Sequence, residues 1–414
     1  MGSINLVEKV FSKDIQELNK KINAFVTFNE NAINEAEEII KKGIEPIPIG
    51  IKDIIFTKGI RTTMGSRLYQ NFIPKQDAFI IKKIKKFGYV VVGKTNTHEF
   101  ASGVTTTSTI FGPTKNPHDL SRISGGSSGG SAAAVSASIV PISIGTDTAG
   151  SIRIPASLCG VYGFKTTYGK ININGVFPLA KSFDTLGFFS KDFKQIIDVS
   201  TRFGLYKNLK INKIRIGIPK WYKLPSELRS YNEELVDKVE NKFLDYVAKL
   251  GYDYSFVDMP IAQKYVWKNY PIIRYSEATS VHINNKDKWD QYFPDVRRLL
   301  EKGLEYKAVD YLEALTHKNE VKLELNKISK EFDVLLTPTT PIPAPTIDEV
   351  SGKEDGIIRT ILTYYTVYSS YADAPTISIP ALKIENLPVG VQLIGGYNND
   401  NKLLSIAGAF PVSL

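Results

Sequence analysis

Between Ser124 and Pro155 the chain reads SGGSSGGSAAAVSASIVPISIGTDTAGSIRIP, two clusters of serine, threonine and glycine separated by an alanine-rich stretch and an apolar run. Side chains this small leave backbone exposed. Glycine also reaches the dihedral angles that let successive amide hydrogens converge on one point, forming a nest for negative charge. A tight, flexible turn accounts for Gly125 to Gly130 taken alone, but poorly for the whole segment.

Two chemistries are tested first. A phosphate-binding loop of the form G-x-x-x-x-G-K-[ST] requires lysine after its second glycine, and Ser131 and Ala132 follow Gly130 instead. Gly125 to Gly129 do match the G-x-S-x-G turn on which α/β-hydrolases present a nucleophile, with Ser127 at its centre. That turn follows a strand, whereas KNPHDLSRIS (115 to 124) is polar and broken by proline. Its histidine base must come later in the chain. Only His282 and His317 do, both in polar, helix-like surroundings where a solvated surface position is expected.

Lys52 is the other anomaly. It interrupts the apolar run Ile47, Ile49, Ile51, Ile54, Ile55 and Phe56, where an ammonium is costly to bury. Desolvation lowers a lysine pKa from about 10.4 toward neutrality, which is what a general base needs. An edge-strand lysine reaching water fits the same periodicity.

The elements that must position these groups are legible as short Ile- and Val-rich runs alternating with helical patterns, the mark of a layered α/β fold. Strands are expected at Ile47 to Phe56, Tyr89 to Gly93, Ile139 to Ile144, Ile214 to Ile218, Asp333 to Thr337, Thr376 to Ile379 and Val389 to Leu393. From Glu233 to Leu250, apolar residues at three- and four-residue steps predict an amphipathic surface helix that stops at Gly251. Pro338, Pro341, Pro343 and Pro345 force an extended loop. One domain over residues 1–414 is expected, since no low-complexity linker divides the chain.

Composition narrows the classes further. No apolar run approaches the roughly 20 residues a membrane-spanning helix needs. The leading segment MGSINLVEKVFSKDIQELNKK lacks the apolar core of a secretory signal, which points to the cytoplasm. The single cysteine, Cys159, allows no internal disulfide and no multi-cysteine metal site, and is expected to be buried and structural. The net charge of +9 invites a nucleic-acid reading. Apart from clusters such as Lys82, Lys83, Lys85 and Lys86, however, the lysines are interleaved with acids as on solvated faces, so no direct nucleic-acid contact is expected.

GGSSGGSAAA followed by GTDTAGSIRIP, with PIPIGIKDIIF upstream, resembles the defining motifs of the amidase signature family. Weaker likeness at GKTNTHEFASG, NPHD, GVYGFKTTYGKI, DVLLTPTTP and LPVGVQLIGG extends it over nearly the whole chain. The resemblance implies a single α/β/α domain with a large mixed sheet, and an amidase that needs no metal or cofactor. It puts the nucleophile on Ser151, a bridging serine after a cis peptide on Ser127, and the base on Lys52. The amides of Thr148, Ala149, Gly150 and Ser151 would form the oxyanion hole, with Ala149 standing where many relatives have glycine. Asp147 and Arg153 are expected to pair and hold this loop; Ser128, Ser131 and Thr146 are expected to support its hydrogen bonds.

The resemblance leaves the substrate open. Family pockets draw on the region after the lysine strand and on the carboxyl-terminal third, which nominates Ser102, Gly103, Tyr364 and Tyr365 for substrate binding. The tyrosines, with Tyr368 and Tyr371, equally suit helix packing. A self-sufficient amidase acting on a small-molecule amide is expected; a homodimer is compatible with it, and no membrane is involved. The alternative is the A subunit of the tRNA-dependent glutamine amidotransferase, which works with other subunits and tRNA. Glutamine would need an acid for its ammonium and a cation for its carboxylate. Asp373 lies close to the strand at Thr376 rather than in the preceding helix, and Lys318 stands roughly where relatives place an arginine; both departures favour an uncharged amide.

Overall fold

The computed structural model describes residues 4–211 and 213–412. Met1 to Ser3 of the leading segment, and Ser413 and Leu414 at the other end of the expected 1–414 unit, lie outside the described residues.

Thirteen strands are described: β1 (Phe25–Phe28), β2 (Ile47–Lys52), β3 (Tyr89–Thr95), β4 (Lys115–Asn116), β5 (Asp119–Ile123), β6 (Ile142–Asp147) and β7 (Tyr162–Lys165), then β8 (Thr185–Ser190), β9 (Arg215–Pro219), β10 (Asp253–Val257), β11 (Val334–Pro338), β12 (Thr376–Ile384) and β13 (Leu387–Ile394). Eleven form one mixed sheet in the order β1-β3-β2-β6-β8-β7-β12-β13-β11-β9-β10, and β4 with β5 makes a separate hairpin. Helices flank the sheet, giving a single α/β fold.

Both faces are covered. Val91 belongs to one apolar cluster while its neighbours Val90 and Val92 belong to another, because successive strand side chains point to opposite faces. This explains why the strands read as continuous apolar runs rather than alternating ones. All seven expected strands are present, with ends shifted by a few residues; β2 stops at Lys52 instead of continuing to Phe56. The expected helix runs from Glu233 to Lys249, buries Val236, Val239, Phe243 and Val247, and is capped by the Asn232 side chain.

At the centre, β2 and β6 run parallel, with Ile51 opposite Ile144. Their carboxyl ends therefore sit side by side, one delivering Lys52 and the other Thr146 and Asp147. Open α/β sheets bind ligands at this edge, because the chain leaves each strand there into a loop.

The alanine-rich helix, Gly129–Ser136, is buried along its whole length from Gly129 to Val135. Its small side chains let it press on the end of β3. A Cβ on Gly130 would come within 2.3 Å of the Asn96 amide nitrogen and 2.5 Å of the Ala24 carbonyl oxygen. Both obstacles are backbone and cannot swing aside. Gly130→Ala should lower the unfolding free energy by about 1–3 kcal/mol, read as a lower urea midpoint; an unchanged midpoint would show that the helix has room to move.

Candidate active site

Lys52 ends β2 fully buried, with its amine 2.7 Å from Ser127 Oγ and 2.8 Å from Thr146 Oγ1. No carboxylate among the described residues touches it. Burial pulls its pKa down to about 7, against the weaker opposing pull of Asp147 and Asp184. The amine is thus a base near neutral pH, held by two hydroxyls.

Ser127 stands in the turn before the alanine-rich helix and follows a cis peptide bond from Gly126. Its carbonyl oxygen accepts hydrogen bonds from Thr97 Oγ1 at 3.0 Å and from the His98 amide at 3.2 Å. Ser128 Oγ donates to the Thr146 carbonyl, and Ser131 Oγ donates to the Ile144 carbonyl, so two neighbouring serines tie this turn to β6. The Ser128 amide reaches the Ser151 carbonyl at 3.2 Å and joins the two serine loops. Ser151 is 7% exposed and faces a cavity, whereas Lys52 and Ser127 have no exposed surface.

The loop carrying Ser151 hangs on one buried ion pair. Arg153 grips Asp147 with two hydrogen bonds, Nη2 to Oδ1 at 2.9 Å and Nε to Oδ2 at 3.0 Å. Its other donors go to the Thr366 carbonyl, Ser369, Ser370 and Gln392. Burial alone would raise the Asp147 pKa, but the Arg153 charge and hydrogen bonds outweigh it and hold the carboxyl at about 2.

This pair also engages one of the four amides expected to form an oxyanion hole. The Gly150 amide donates to Asp147 Oδ1 at 2.7 Å and is engaged, while the amides of Thr148, Ala149 and Ser151 donate to no acceptor among the described residues. Three of the four expected donors are free. Gly150 has φ +126°, and a Cβ there would meet Thr366 Oγ1 at 2.3 Å, so only glycine fits. Ala149 is not in the left-handed region, and alanine is accommodated without strain.

The narrow cavity beside Ser151 is lined by Gly103, Thr148, Ala149, Tyr270, Thr363 and two arginines, Arg274 and Arg359. Gly103, nominated for substrate binding, is in its wall. Ser102 is just behind the wall: its hydroxyl accepts from Arg274 Nη2 at 3.2 Å, and its carbonyl from Arg359 Nη2.

Tyr364 and Tyr365, nominated for substrate binding, are not brought to this cavity. They share the helix Ile357–Tyr371 with Arg359, but point away from the Ser151 side: Tyr365 has no exposed surface, and Tyr364 stacks with Trp267 in a separate aromatic cleft with Trp221 and Tyr368. Lys318 and Asp373 pair with each other, and Lys322 adds a second contact to Asp373 at 3.2 Å, so neither group is presented to a ligand at Ser151. An uncharged amide was expected from the sequence, and the wall of this cavity carries two guanidiniums. The missed arginines leave a signal of the same kind as Lys52: Arg274 and Arg359 each interrupt an apolar stretch, YPIIRYS and GIIRTIL.

No histidine among the described residues lines the cavity. His282, expected at the surface, is instead buried against Phe100 and Tyr292, and His98 is paired with Asp295 at 2.8 Å. Cys159 is buried, and burial raises its thiol pKa far above the usual range. Among the described residues no group of three or more His, Cys, Asp or Glu side chains is placed to hold a metal ion, and no helix is long and apolar enough to cross a membrane.

The lowered Lys52 pKa has a consequence for stability. Between about pH 7 and 10 the native amine is neutral while the unfolded one is protonated, so unfolding takes up a proton and stability rises with pH. The unfolding free energy of the wild type, minus that of Lys52→Met, should therefore grow by about 1.4 kcal/mol per pH unit over this window. A difference that stays flat in denaturant titrations would mean that Lys52 keeps its ordinary pKa.

The chain is similar to known proteins in sequence and in fold. The family model described as Amidase matches residues 6–404. The A subunit of the glutamyl-tRNA(Gln) amidotransferase of Sulfolobus acidocaldarius is 33% identical, over 97% of this chain and 93% of its own. That of Thermotoga maritima is 35% identical, over 95% and 89%. A crystal structure of an amidase superposes with TM-score 0.87 at 30% identity, covering 99% of this chain and 95% of that one. The crystal structure of the Thermotoga maritima protein gives TM-score 0.79 at 32% identity, covering 98% and 90%. The chain belongs to the amidase signature family.

Proposed function

We propose that this chain hydrolyses the C–N bond of a carboxamide through an acyl-enzyme on Ser151, with Ser127 as proton relay and Lys52 as base. The observation that carries this reading is the buried Lys52 amine, brought to about 7 by desolvation and in contact with Ser127 Oγ at 2.7 Å. A protonated lysine could not accept a proton; a neutral one can.

Ser151 Oγ attacks the amide carbon as its proton passes through Ser127 to Lys52. The amides of Thr148, Ala149 and Ser151 donate to the carbonyl oxygen as it becomes negative, and such fixed donors are usually the largest catalytic term. When the C–N bond breaks, the same proton returns through Ser127 to the departing nitrogen, leaving ammonia or an amine and an ester on Ser151. Water then gives a proton along the relay to Lys52 and attacks the ester; as the bond to Ser151 Oγ breaks, that proton returns through Ser127 to Oγ, and the freed acid ionises to the carboxylate. The shared proton makes the three residues one unit, so single replacements should each cost nearly the full effect.

The identity to curated A subunits supports a second reading, in which the chain frees ammonia from glutamine within a multi-subunit enzyme acting on glutamyl-tRNA(Gln). The cavity fits this less well, because no acidic side chain among the described residues lines it to receive the ammonium of free glutamine. We therefore favour the self-sufficient amidase.

The purified chain should release ammonia from small amides with no partner, a fluorophosphonate should label Ser151, and Ser151→Ala should lose activity by about 10⁴-fold or more. Labelling at another serine with an active Ser151→Ala variant would overturn the assignment. Ammonia from glutamine that appears only after the other amidotransferase subunits and charged tRNA are added would select the second reading.

A further inference from the structure

We infer that the substrate of the Ser151 site carries a carboxylate, held by Arg274 and Arg359; the inference rests on the amidase reading above and deepens it. Arg274 comes from the helix Pro260–His282 and Arg359 from the helix Ile357–Tyr371, so residues 85 positions apart converge on one wall of the same cavity. They are only 3% and 8% exposed.

Their surroundings leave them short of partners. Arg274 Nη2 donates to Ser102 Oγ at 3.2 Å and Arg359 Nη2 donates to the Ser102 carbonyl, but Nη1 of each is buried with no acceptor among the described residues. Neither forms an ion pair among them. Asp295, an acid close enough to influence Arg359, is already held by His98 at 2.8 Å. Burial and then the neighbouring Arg274 charge push the Arg359 pKa below its ordinary value.

Arg153 provides the contrast within the same molecule. It is equally buried, yet paired with Asp147 and bonded through Nε, Nη1 and Nη2 to acceptors. Buried charges are paired unless a ligand completes them. At Arg274 and Arg359 the missing negative charge has one place to enter, the cavity that also holds Ser151. A guanidinium offers parallel donors matched to a carboxylate. The narrowness of this cavity restricts the occupant to a small molecule, and the lack of an acid among the described lining residues disfavours a second, positive group on it.

The test compares two amides of similar size, succinamate and butyramide, with the purified chain. Fluorophosphonate labelling of Ser151 is followed in parallel. Succinamate should be preferred by about 10²-fold or more in kcat/KM, because a site built around a polar group rejects the analogue that lacks it. Arg359→Gln and Arg274→Gln should remove that preference, chiefly by raising KM for succinamate, and Arg359→Lys should restore part of it as a point charge. Equal use of the two amides by wild type that is labelled at Ser151 would overturn the carboxylate site alone, whether or not the variants fold. Failure to label Ser151 would overturn the amidase reading on which it rests.

Discussion

One constraint organises this protein: an amine must be kept out of water with only hydroxyls for company. An isolated lysine in that position loses its proton rather than pay for burying the charge. Lys52 meets the condition because β2 runs between β3 and β6, with both sheet faces covered, and stops as it reaches the edge. The two oxygens it touches, Ser127 Oγ and Thr146 Oγ1, come from the turn before the alanine-rich helix and from the end of β6. A carboxylate in place of either would keep the lysine charged and inert as a base.

Asp147 lies close enough to raise the Lys52 pKa. Arg153 takes up both of its oxygens, and the Gly150 and Ile152 amides share them. This pair therefore shapes the loop that carries Ser151 while its opposite charges offset each other close to Lys52. Breaking it would leave a bare buried guanidinium, a loss of about 3–5 kcal/mol. Desolvation is thus answered in three ways in one site: by deprotonation at Lys52, by pairing at Arg153, and at Arg274 and Arg359 by charge left for a ligand.

Much of this was legible in the residues. Lys52 showed itself as a charge inside an isoleucine run, and the glycine and serine clusters exposed the loops around it. Strands of the covered sheet read as apolar runs. β1, β7 and β8 did not, since FVTF and YGFK span only four residues and TLGFFS has no isoleucine or valine. The aromatic helix misled for a different reason. It is buried from Ile358 to Tyr371, so periodicity could not tell which face meets Ser151. The face that does carries Arg359, Thr363 and Thr366, at steps of four and three, and Tyr364 and Tyr368 belong to another. Arg274 and Arg359 gain meaning only when two helices distant in sequence converge. The engaged Gly150 amide likewise depends on where Asp147 turns its oxygens.

The proton-transfer account is tested most directly by the rate at which Ser151 is acylated, measured as a function of pH in single turnovers with the wild type and with Lys52→Arg. A neutral lysine base predicts a rate that rises with an apparent pKa near 7 and levels above it. It also predicts near-complete loss in Lys52→Arg, because a guanidinium cannot give up its proton in this range. A wild-type rate that is flat from pH 5 to 9, or an arginine variant that acylates at a comparable rate, would contradict it.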